Sequence, residues 1–435
     1  MLEHIYNFSL PLLALLLRVG AIFSTRLREF LTAREGLLQR WESALAKIPA
    51  KNRLWFHVSS VGELEQIRPV LERLSKKNNY TFLLSYYSPS VPRLVKDWSF
   101  VAYADYLPLD FYRETKVLTK MIHPQMLVLN RYDLWPNLLK CAREEKIPVA
   151  LLNASTPPLG LWGLFSLWAR KPMFQAIYLW TYVDSVAAAA WEPYRQKGGY
   201  GLVTGNPRVD RALLRVEEAM RLGKIKDILA RWEHEKSRCI VAGSTWEKDE
   251  EILLAALLQL RKVASYEGTK MILVPHEPNA EHIRGLEKKC QSLGLSFSKY
   301  SALSTSTEKF SSDILLVDVR GVLAEIYGQG AVAYVGGGFG KEVHSIIEPL
   351  AHRLPVAYGP KHERSPEAKT VAIMQGAFVV RGLRDASALA DWWQDILADG
   401  EKAHRAKEAL RIYLQIHRGA GERVGDFLAE RIKIQ

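Results

Sequence analysis

The 435-residue sequence has few cysteines, no low-complexity tract and no obvious internal repeat. Cys141, Cys239 and Cys290 stand alone, without a Cys-x-x-Cys pair or a zinc-ligand spacing. Unpaired cysteines are typical of a reducing compartment, so we expect the catalytic body in the cytoplasm. The length exceeds one ordinary hydrophobic core, and the composition is that of a folded protein, which predicts two domains.

Two common phosphate-handling signatures are also missing. The chain contains neither Asp-x-Asp, the usual device for a metal-bound diphosphate, nor a Gly-x4-Gly-Lys-Ser/Thr loop. Its His, Asp and Glu residues show no metal-ligand pattern. We therefore expect no metal and no cofactor, with positive charge and helix dipoles stabilising any phosphate leaving group.

Positive charge is in excess, with 59 Lys and Arg against 47 Asp and Glu, a net charge of +12. This excess favours an anionic partner, namely nucleic acid, an acidic membrane or a phosphorylated substrate. Twelve tryptophans favour the membrane, because Trp prefers the lipid–water boundary. No nucleic-acid-binding motif is present, so nucleic acid is not expected as a partner. The alternative is a solvated basic surface without a specific partner.

Residues 5–23 are almost wholly apolar and marginally long enough to span a bilayer. Arg18 would cost roughly 2.5–3.5 kcal/mol at the bilayer centre. Four arginines follow this stretch: Arg26, Arg28, Arg34 and Arg40. Each is expected to add about 1 kcal/mol of attraction to an anionic leaflet. The segment 1–45 is interpreted as an anchor or interfacial helix at the cytoplasmic face of a membrane, and a buried first helix is the alternative.

Short apolar runs alternate with helical stretches from residue 54 onward, which predicts parallel sheets covered on both faces. The first series of predicted strands covers 54–58, 81–85, 126–129, 148–152 and 178–183. A polar helical stretch at 208–236 separates it from a second series at 239–242, 271–274, 314–317, 332–335 and 355–358. The predicted α/β architecture has two Rossmann-like domains, 46–207 and 208–410, that face a cleft. A helix at 411–435 is expected to pack near the domain junction.

Polar motifs follow the predicted strands, at the sheet edge where ligands bind in such folds. In Ser-Ser-Val-Gly-Glu (59–63), Glu63 falls in the first turn of a helix, where it could accept a proton from an attacking hydroxyl. Alternatively, it only complements the helix dipole. In residues 131–137, Tyr132 and Trp135 could stack on a sugar with Asp133 as hydroxyl acceptor. Alternatively, Asp133 caps the helix and Trp135 is its hydrophobic shoulder.

The glycine-rich stretch 336–340 follows the 332–335 strand. We interpret it as a phosphate cradle of free backbone N–H groups that leads into a helix, with Glu348 in the helix opening as acceptor of a ribose hydroxyl pair. A generic glycine turn is the alternative. His276 at another strand end is expected to contact donor phosphate, unless it is a core or capping histidine. The aromatic–basic residues Trp162, Phe165, Trp168, Arg170, Lys171 and Trp180 indicate either a lipid-contacting helix or core packing.

Together these stretches resemble the 3-deoxy-D-manno-octulosonic acid (Kdo) transferases of lipopolysaccharide synthesis, glycosyltransferase family 30. The resemblance covers almost the whole chain. Its pieces are residues 57–63, 106–110, 134–137, 205–210, 243–245 and 335–360. No piece is decisive by itself, but their order and spacing are specific.

The resemblance implies an inverting, metal-independent GT-B enzyme at the cytoplasmic face of the inner membrane. It would transfer Kdo from the nucleotide-sugar donor CMP-Kdo to a glycolipid acceptor, a lipid A precursor. It implies Glu63 as general base and Arg208 as a basic group that stabilises the transition state. Asp133 is a further catalytic candidate because of its place in the 131–137 motif. The residues predicted to hold the donor are Ser244, Thr245, Pro275, His276, Arg320, Gly321, Val322, Gly337, Gly338, Ser345, Ile346, Ile347 and Glu348.

The chain departs from the family pattern at several of these sites. Arg131 and Asp133 stand where many members have two glutamates, and His276 stands where an arginine is usual. Ser345 follows His344 where an asparagine is common, and residues 320–322 replace a Met-Gly-Glu turn. These departures favour, as alternatives, a different nucleotide sugar or glycolipid acceptor on the same fold. A third alternative is a non-catalytic membrane-bound scaffold, against which the presence of Glu63 argues.

Overall fold

The structure, a computed structural model, describes residues 2–77, 80–131, 133–157, 171, 173–223 and 225–432. The chain forms two compact units, one of Met1–Arg211 with His417–Gln435 and one of Ala212–Ile416. The predicted boundary after residue 207 lies close to this division. The functions assigned to the predicted domains remain predictions.

The first unit is built on a seven-stranded parallel sheet of order β3-β2-β1-β4-β5-β6-β7. The strands are β1 Arg53–Val58, β2 Thr81–Tyr86, β3 Val101–Tyr106, β4 Met126–Asn130, β5 Val149–Ala154, β6 Ile177–Tyr182 and β7 Tyr200–Val203. The helices are α1 Leu2–Phe23, α2 Thr25–Thr32, α3 Leu37–Leu45, α4 Val61–Ser75, α5 Val91–Val95, α6 Tyr112–Ile122, α7 Pro136–Glu144, α8 Ser185–Trp191 and α9 Pro207–Leu222, the last of which continues into the second unit. Buried apolar side chains cover both faces of this sheet, as predicted.

The second unit repeats this plan with the parallel order β10-β11-β9-β8-β12-β13-β14. Its strands are β8 Cys239–Thr245, β9 Lys270–Pro275, β10 Phe297–Lys299, β11 Ile314–Leu316, β12 Val332–Val335, β13 Val356–Tyr358 and β14 Ala377–Val379. Its helices are α10 Lys226–Leu229, α11 Glu247–Leu260, α12 Ala280–Ser292, α13 Tyr300–Thr305, α14 Leu323–Ile326, α15 Ile347–Ala351, α16 Pro366–Ile373, α17 Ala386–Leu397 and α18 Glu401–His417. The prediction of two Rossmann-like parallel-sheet domains is confirmed.

All ten predicted strands are present, and among the described residues the sequence pattern missed four strands, β3, β7, β10 and β14. These four are the edge strands of the two sheets. Most of their residues are half-buried or exposed, whereas the interior strands are buried along almost their whole length. A continuous apolar run is a signal of burial on both faces, so an edge strand does not produce it.

The chain returns to the first unit with a last helix, α19, which spans Ala420–Ile432. Two of its glycines face α4, because a Cβ on Gly421 would overlap Pro69 and one on Gly425 would lie 2.8 Å from the side chain of Arg73. Asp426 accepts hydrogen bonds of 3.0 Å from the Arg73 guanidinium. Small residues thus let α19 pack closely on the helix that carries Glu63.

The amino-terminal helix α1 contains a stretch, Ile5–Phe23, that is long and apolar enough to cross a membrane. It is largely unburied in the structure: the side chains of Phe8 and Phe23 are 88% and 85% exposed. The alternative of a buried first helix is therefore wrong. One such helix near the amino terminus is consistent with membrane association.

Three of the four arginines assigned to membrane attraction have partners within the protein. Arg28 donates to the carbonyls at the end of α1, and Arg40 pairs with Asp105 at 2.8 Å. Arg34 lies over the rings of Phe30 and Tyr87, and burial lowers its pKa to about 10. The charge pattern predicted lipid contacts for all four, but intramolecular carbonyls and aromatic faces occupy these three.

The predicted aromatic–basic segment is only partly described. Trp162, Phe165, Trp168 and Arg170 lie outside the described residues. Trp180 is fully buried in β6 and packs against Trp191 at 5.3 Å between ring centroids, whereas Lys171 is exposed. For Trp180, core packing is the correct interpretation and lipid contact is wrong.

Candidate active site

Glu63 lies where the sequence placed it, in the first turn of α4 directly after β1. The Ser60 hydroxyl accepts the Glu63 N–H, and Glu63 Oε2 accepts the backbone N–H groups of Ser59 at 2.6 Å and Ser60 at 3.1 Å. This is a capping box, so Glu63 does stabilise the helix start. Within the described ranges no hydrogen-bond donor reaches Oε1. Hydrogen bonds therefore fix Oε2 of Glu63, and Oε1 remains available to accept a proton.

Asp133 lies beside Glu63, because the carboxyl ends of β1 and β4 meet at the same edge of the sheet. Its Oδ1 accepts hydrogen bonds of 2.7 Å from both the Ser59 hydroxyl and the Trp135 indole. Trp135, and not Asp133, is the capping residue of α7, so the capping interpretation of Asp133 is wrong. Trp135 itself stacks on Tyr87 with 4.5 Å between centroids, and Tyr132 lies outside the described residues.

The imidazole of His57 faces the other oxygen of Asp133, with Nε2 3.2 Å from Oδ2. The two atoms are not aligned for a hydrogen bond. His57 is completely buried, and this burial lowers its pKa to about 3. The imidazole is therefore neutral and supplies no positive charge to the neighbouring carboxylates.

Burial, and next the negative charge of Asp133, together raise the pKa of Glu63 to about 7, against the lowering effect of the Ser59 N–H and Arg131. Burial likewise raises the pKa of Asp133 to about 6, against the hydrogen bonds from Ser59 and Trp135. Two carboxylates thus share a site of low dielectric constant. A carboxylate whose pKa lies near neutrality is suited to general-base catalysis at physiological pH.

Beneath this pair lies a buried amide network that the sequence analysis missed. Asn130 Nδ2 donates to Gln66 Oε1 on α4 at 2.6 Å, and Asn153 Nδ2 donates to Asn130 Oδ1 at 2.7 Å. Asn130 is the last residue of β4 and Asn153 the penultimate residue of β5; both strands are otherwise apolar, which is the signal that could have identified the two residues. The network joins β4 and β5 to α4 and so fixes the helix that carries Glu63.

The 205–210 motif holds the start of α9 to the carboxyl-terminal segment. The Asn206 N–H donates to His417 Nδ1 at 3.1 Å, and the Asn206 side chain accepts the Arg208 N–H at 3.1 Å. Asp210 accepts the N–H groups of Gly419 and Gly421 at 2.6 and 2.7 Å, just before and within the first turn of α19. Arg208 is half-buried in the first turn of α9. Its catalytic role remains a prediction.

In the second unit, Ser244 and Thr245 end β8. Ser244 has a left-handed backbone with φ of 54°, and it is half-buried. The Thr245 hydroxyl donates to Glu250 at 2.9 Å, and Glu250 in turn lies 2.9 Å from His282 Nε2. The Thr245 hydroxyl therefore already has an acceptor within the protein. Of the two residues predicted to contact the nucleotide sugar, Ser244 is the better placed.

Three of the five N–H groups in the glycine-rich stretch have acceptors within the protein, so the cradle of free N–H groups remains a prediction for Gly338 and Phe339 alone. Gly336 N–H donates to the Gly243 carbonyl, Gly337 N–H to Asp249, and Gly340 N–H to the Gly337 carbonyl. The next helix, α15, begins only at Ile347. What the glycines provide is close approach: a Cβ on Gly336 would overlap the backbone of Ser244, and one on Gly338 would lie 2.6 Å from Gly359 Cα.

Asp249 on α11 is a structural residue that the sequence analysis missed. Its Oδ2 accepts the N–H groups of Trp246 and Gly337 at 3.0 and 3.1 Å, and its Oδ1 accepts the Tyr334 hydroxyl at 2.7 Å. It thereby joins the loop after β8 to the loop after β12. Burial raises its pKa above the ordinary value.

The other residues predicted to bind the nucleotide sugar lie at or after the strand ends of the same unit. The imidazole of His276 is exposed and Asn279 caps the next helix, so His276 is neither a core nor a capping histidine; its backbone N–H donates to the Thr245 carbonyl at 2.9 Å. Glu348 is in the first turn of α15 as predicted, 3.7 Å from the guanidinium of Arg215. The remaining residues are Pro275, at the end of β9; Arg320 and Gly321, both exposed; Val322, before α14; and Ser345, Ile346 and Ile347, at the start of α15.

The part of the chain that the structure describes contains no group of three or more His, Cys, Asp or Glu residues placed to hold a metal ion. The strongest candidate for reaction chemistry is the Glu63–Asp133 pair. Two Rossmann-like parallel-sheet units, each with candidate site residues at the carboxyl ends of its strands, define the GT-B class of fold. The UDP-GlcNAc 2-epimerase of Neisseria meningitidis shares this fold, with a TM-score of 0.60 over 88% of this chain and 100% of that one at 13% identity.

Sequence relatives narrow this class. Residues 33–211 match the family described as 3-deoxy-D-manno-octulosonic-acid transferase (kdotransferase). The chain is 28% identical to the transferase of that name from Aquifex aeolicus, over 75% of this chain and 81% of the relative. It is 25% identical to the Haemophilus influenzae transferase, over 96% and 95% respectively. The chain is therefore similar to Kdo transferases over most of its length, and these relatives support glycosyltransferase activity.

Proposed function

We propose that the protein transfers Kdo from CMP-Kdo to a lipid A precursor at the cytoplasmic face of the inner membrane. Glu63 is the general base that removes the proton from the attacking acceptor hydroxyl. The observation that carries the proposal is the Glu63 carboxylate itself, held through Oε2 in the capping box with its pKa raised to about 7. The sequence relatives support Kdo as the transferred sugar.

The held oxygen orients the base. Because Oε2 accepts two backbone N–H groups, the carboxylate cannot rotate freely, and Oε1 is the atom available to the acceptor hydroxyl. Asp133 acts on the same proton indirectly, since its negative charge raises the pKa of Glu63. A base with a pKa near 7 is partly ionised at neutral pH and still strong enough to take the proton.

The proposed contacts to the nucleotide sugar are based on the charges of the substrates and of the protein. CMP-Kdo carries a phosphate and a sugar carboxylate, and the acceptor is phosphorylated, so both substrates are anionic and suit a chain of charge +12. CMP leaves as a phosphate monoester, whose charge positive side chains and N–H dipoles can stabilise without a metal. Arg208, His276 and Arg320 are the proposed contributors of such contacts. The exposed apolar surface of α1 is proposed to bring the enzyme to the membrane that holds the acceptor.

The test is an assay of product by mass spectrometry. Purified protein in detergent, with EDTA, is incubated with CMP-Kdo generated in situ and a tetra-acylated lipid A precursor. We expect addition of one or more Kdo units by the wild type and loss of most activity in Glu63→Gln. Glu72→Gln is the matched control, because Glu72 lies on the same helix but pairs with Arg68 at its surface.

Each failure has a distinct meaning. Turnover that survives Glu63→Gln would keep the transferase and refute Glu63 as the base. CMP binding without product would favour another sugar or acceptor, the alternative to which Arg131, His276 and Ser345 point. Absence of both CMP binding and product would favour a non-catalytic scaffold. Activity abolished by EDTA and restored by a divalent metal would refute metal independence.

A further inference from the structure

Three rings stack at the carboxyl edge of the second sheet. Trp246 follows β8, His276 follows β9, and His344 follows the loop after β12. The rings of His276 and His344 are nearly parallel, with 4.1 Å between centroids and 13° between planes. Trp246 lies 5.0 Å from His276, and its indole Nε1 is 3.2 Å from His344 Nε2.

The direction of that hydrogen bond decides the protonation of His344. An indole nitrogen can only donate, so His344 Nε2 must be the acceptor and carries no proton. Burial lowers the pKa of His344 to about 4, with His276 as a further lowering charge, so the ring is neutral at pH 7. A neutral imidazole carries one proton, which must then be on Nδ1.

The surrounding backbone leaves the imidazole little freedom. The His344 N–H donates to the Gly336 carbonyl at 3.0 Å. A Cβ on Gly337 would lie 2.7 Å from His344 Cδ2, so only glycine leaves room for this ring. Asp249 accepts the N–H groups of both Gly337 and Trp246, and it therefore sets the loop under the ring and the residue that donates to it.

The Nδ1 side of the ring is open. No residue in the described part of the chain accepts a hydrogen bond from His344 Nδ1. This atom is not fully buried, so it reaches solvent. It lies at the edge of the sheet where ligands of this fold class bind. The structure thus presents one fixed N–H donor there.

We propose that Trp246 is a positioning residue, whose indole N–H holds His344 in the Nδ1–H tautomer so that this N–H donates to a phosphate oxygen of the nucleotide. The identity of the ligand rests on the function proposed above. The tautomer itself does not, because it follows from contacts within the ligand-free protein.

The first measurement is NMR of the ligand-free full-length protein carrying 13C,15N-labelled histidine, with the His344 signals assigned by their loss in His344→Gln. We expect a pure Nδ1–H tautomer in the wild type at pH 7. Trp246→Phe keeps an aromatic ring but removes the donor, so a mixture of tautomers is expected. Trp392→Phe is the matched control, since Trp392 stacks on Phe378 elsewhere in the same unit. It should leave the His344 signals unchanged.

The second measurement is CMP binding by calorimetry. We expect Trp246→Phe to weaken CMP binding roughly fivefold, as loss of one well-formed hydrogen bond would. His344→Gln should weaken it by at least as much, and adding Trp246→Phe to His344→Gln should cause little further loss, because both act through one contact. Trp392→Phe should bind CMP like the wild type.

Several results would overturn the inference. A wild-type ring that is charged or in the Nε2–H form at pH 7 would refute the tautomer, and so would an unchanged tautomer in Trp246→Phe. A mixed tautomer with unchanged CMP affinity, or full additivity of the two substitutions, would refute the phosphate contact. A wild type with the expected tautomer that binds no CMP would refute the donor assigned under the proposed function, and the phosphate contact with it.

Discussion

Replacing Glu63 by Gln separates the two tasks of this side chain. Gln at the third helical position still satisfies the capping box, so the helix start is preserved while the ionisable group is removed. If Glu63 is the general base, its loss is expected to lower turnover by about 10²–10⁴-fold. Glu63→Ala would remove the base and the cap together, and it would therefore be less informative.

The same substitution is expected to stabilise the protein at neutral and alkaline pH. The pKa of Glu63 is about 7 in the folded chain against an ordinary value of 4.5, a difference that corresponds to about 3 kcal/mol. Because the folded state binds this proton more tightly, the contribution of Glu63 to stability is fully present below pH 4.5 and is lost as the pH rises through 7. Gln has no ionisable group, so the stability of Glu63→Gln relative to the wild type should increase between pH 4.5 and pH 7.

The assay is thermal unfolding of the wild type and Glu63→Gln from pH 4 to pH 8. For a unit of this size, about 3 kcal/mol corresponds to roughly 6–12 °C in Tm. We expect nearly equal Tm values at pH 4 and a higher Tm for the variant at pH 8, combined with lost activity. A difference in Tm that does not change with pH would refute the raised pKa of Glu63. Retention of more than about a tenth of the wild-type turnover would refute its role as base.

Three further predictions concern other parts of the chain. Asp210→Ala removes the acceptor at the start of α19 and is expected to cost about 2 kcal/mol in unfolding experiments, with faster hydrogen exchange confined to Ala420–Ile432. Gly336→Ala forces a Cβ into the neighbouring backbone, so a loss of at least 1–3 kcal/mol with weakened CMP binding is expected; unchanged stability would refute the close approach. Phe8→Ser is expected to reduce binding to anionic phospholipid vesicles about tenfold or more, whereas Ile373→Ser, at a similarly exposed position in the second unit, should not.

The strands show where pattern recognition ends. The ten predicted strands are those covered on both faces, because such strands need continuous apolar runs. The four edge strands meet water along part of their length, so their sequences are mixed in polarity and resemble loops. In the same way, the apolar stretch of α1 is evident from its composition. That Arg28, Arg34 and Arg40 serve the protein and not the lipid depends on carbonyls and rings up to 73 residues away.

The candidate site divides along the same line. Position after a strand and within a first helical turn is local information, so Glu63 could be placed from the sequence. The glycine-rich stretch was also evident, but three of its five N–H groups have acceptors within the protein, and the acceptor of the Gly337 N–H is the distant Asp249. Glycine composition shows that the backbone approaches something closely. It does not distinguish a ligand from another loop.

By itself the sequence determined two parallel α/β units, the apolar amino-terminal helix and the place of Glu63 in its helix, because each depends on short-range periodicity, capping and burial. Only the tertiary structure decided that Asp133 lies beside Glu63, that His57 faces Asp133, that Asp210 holds α19, and that Trp246 donates to His344. These relations join residues that are from 70 to about 210 positions apart. The local sequence around one residue therefore carries no information about its distant partner. The raised pKa of Glu63 is of this second kind, because it arises from burial and a neighbouring charge that exist only after the chain has folded.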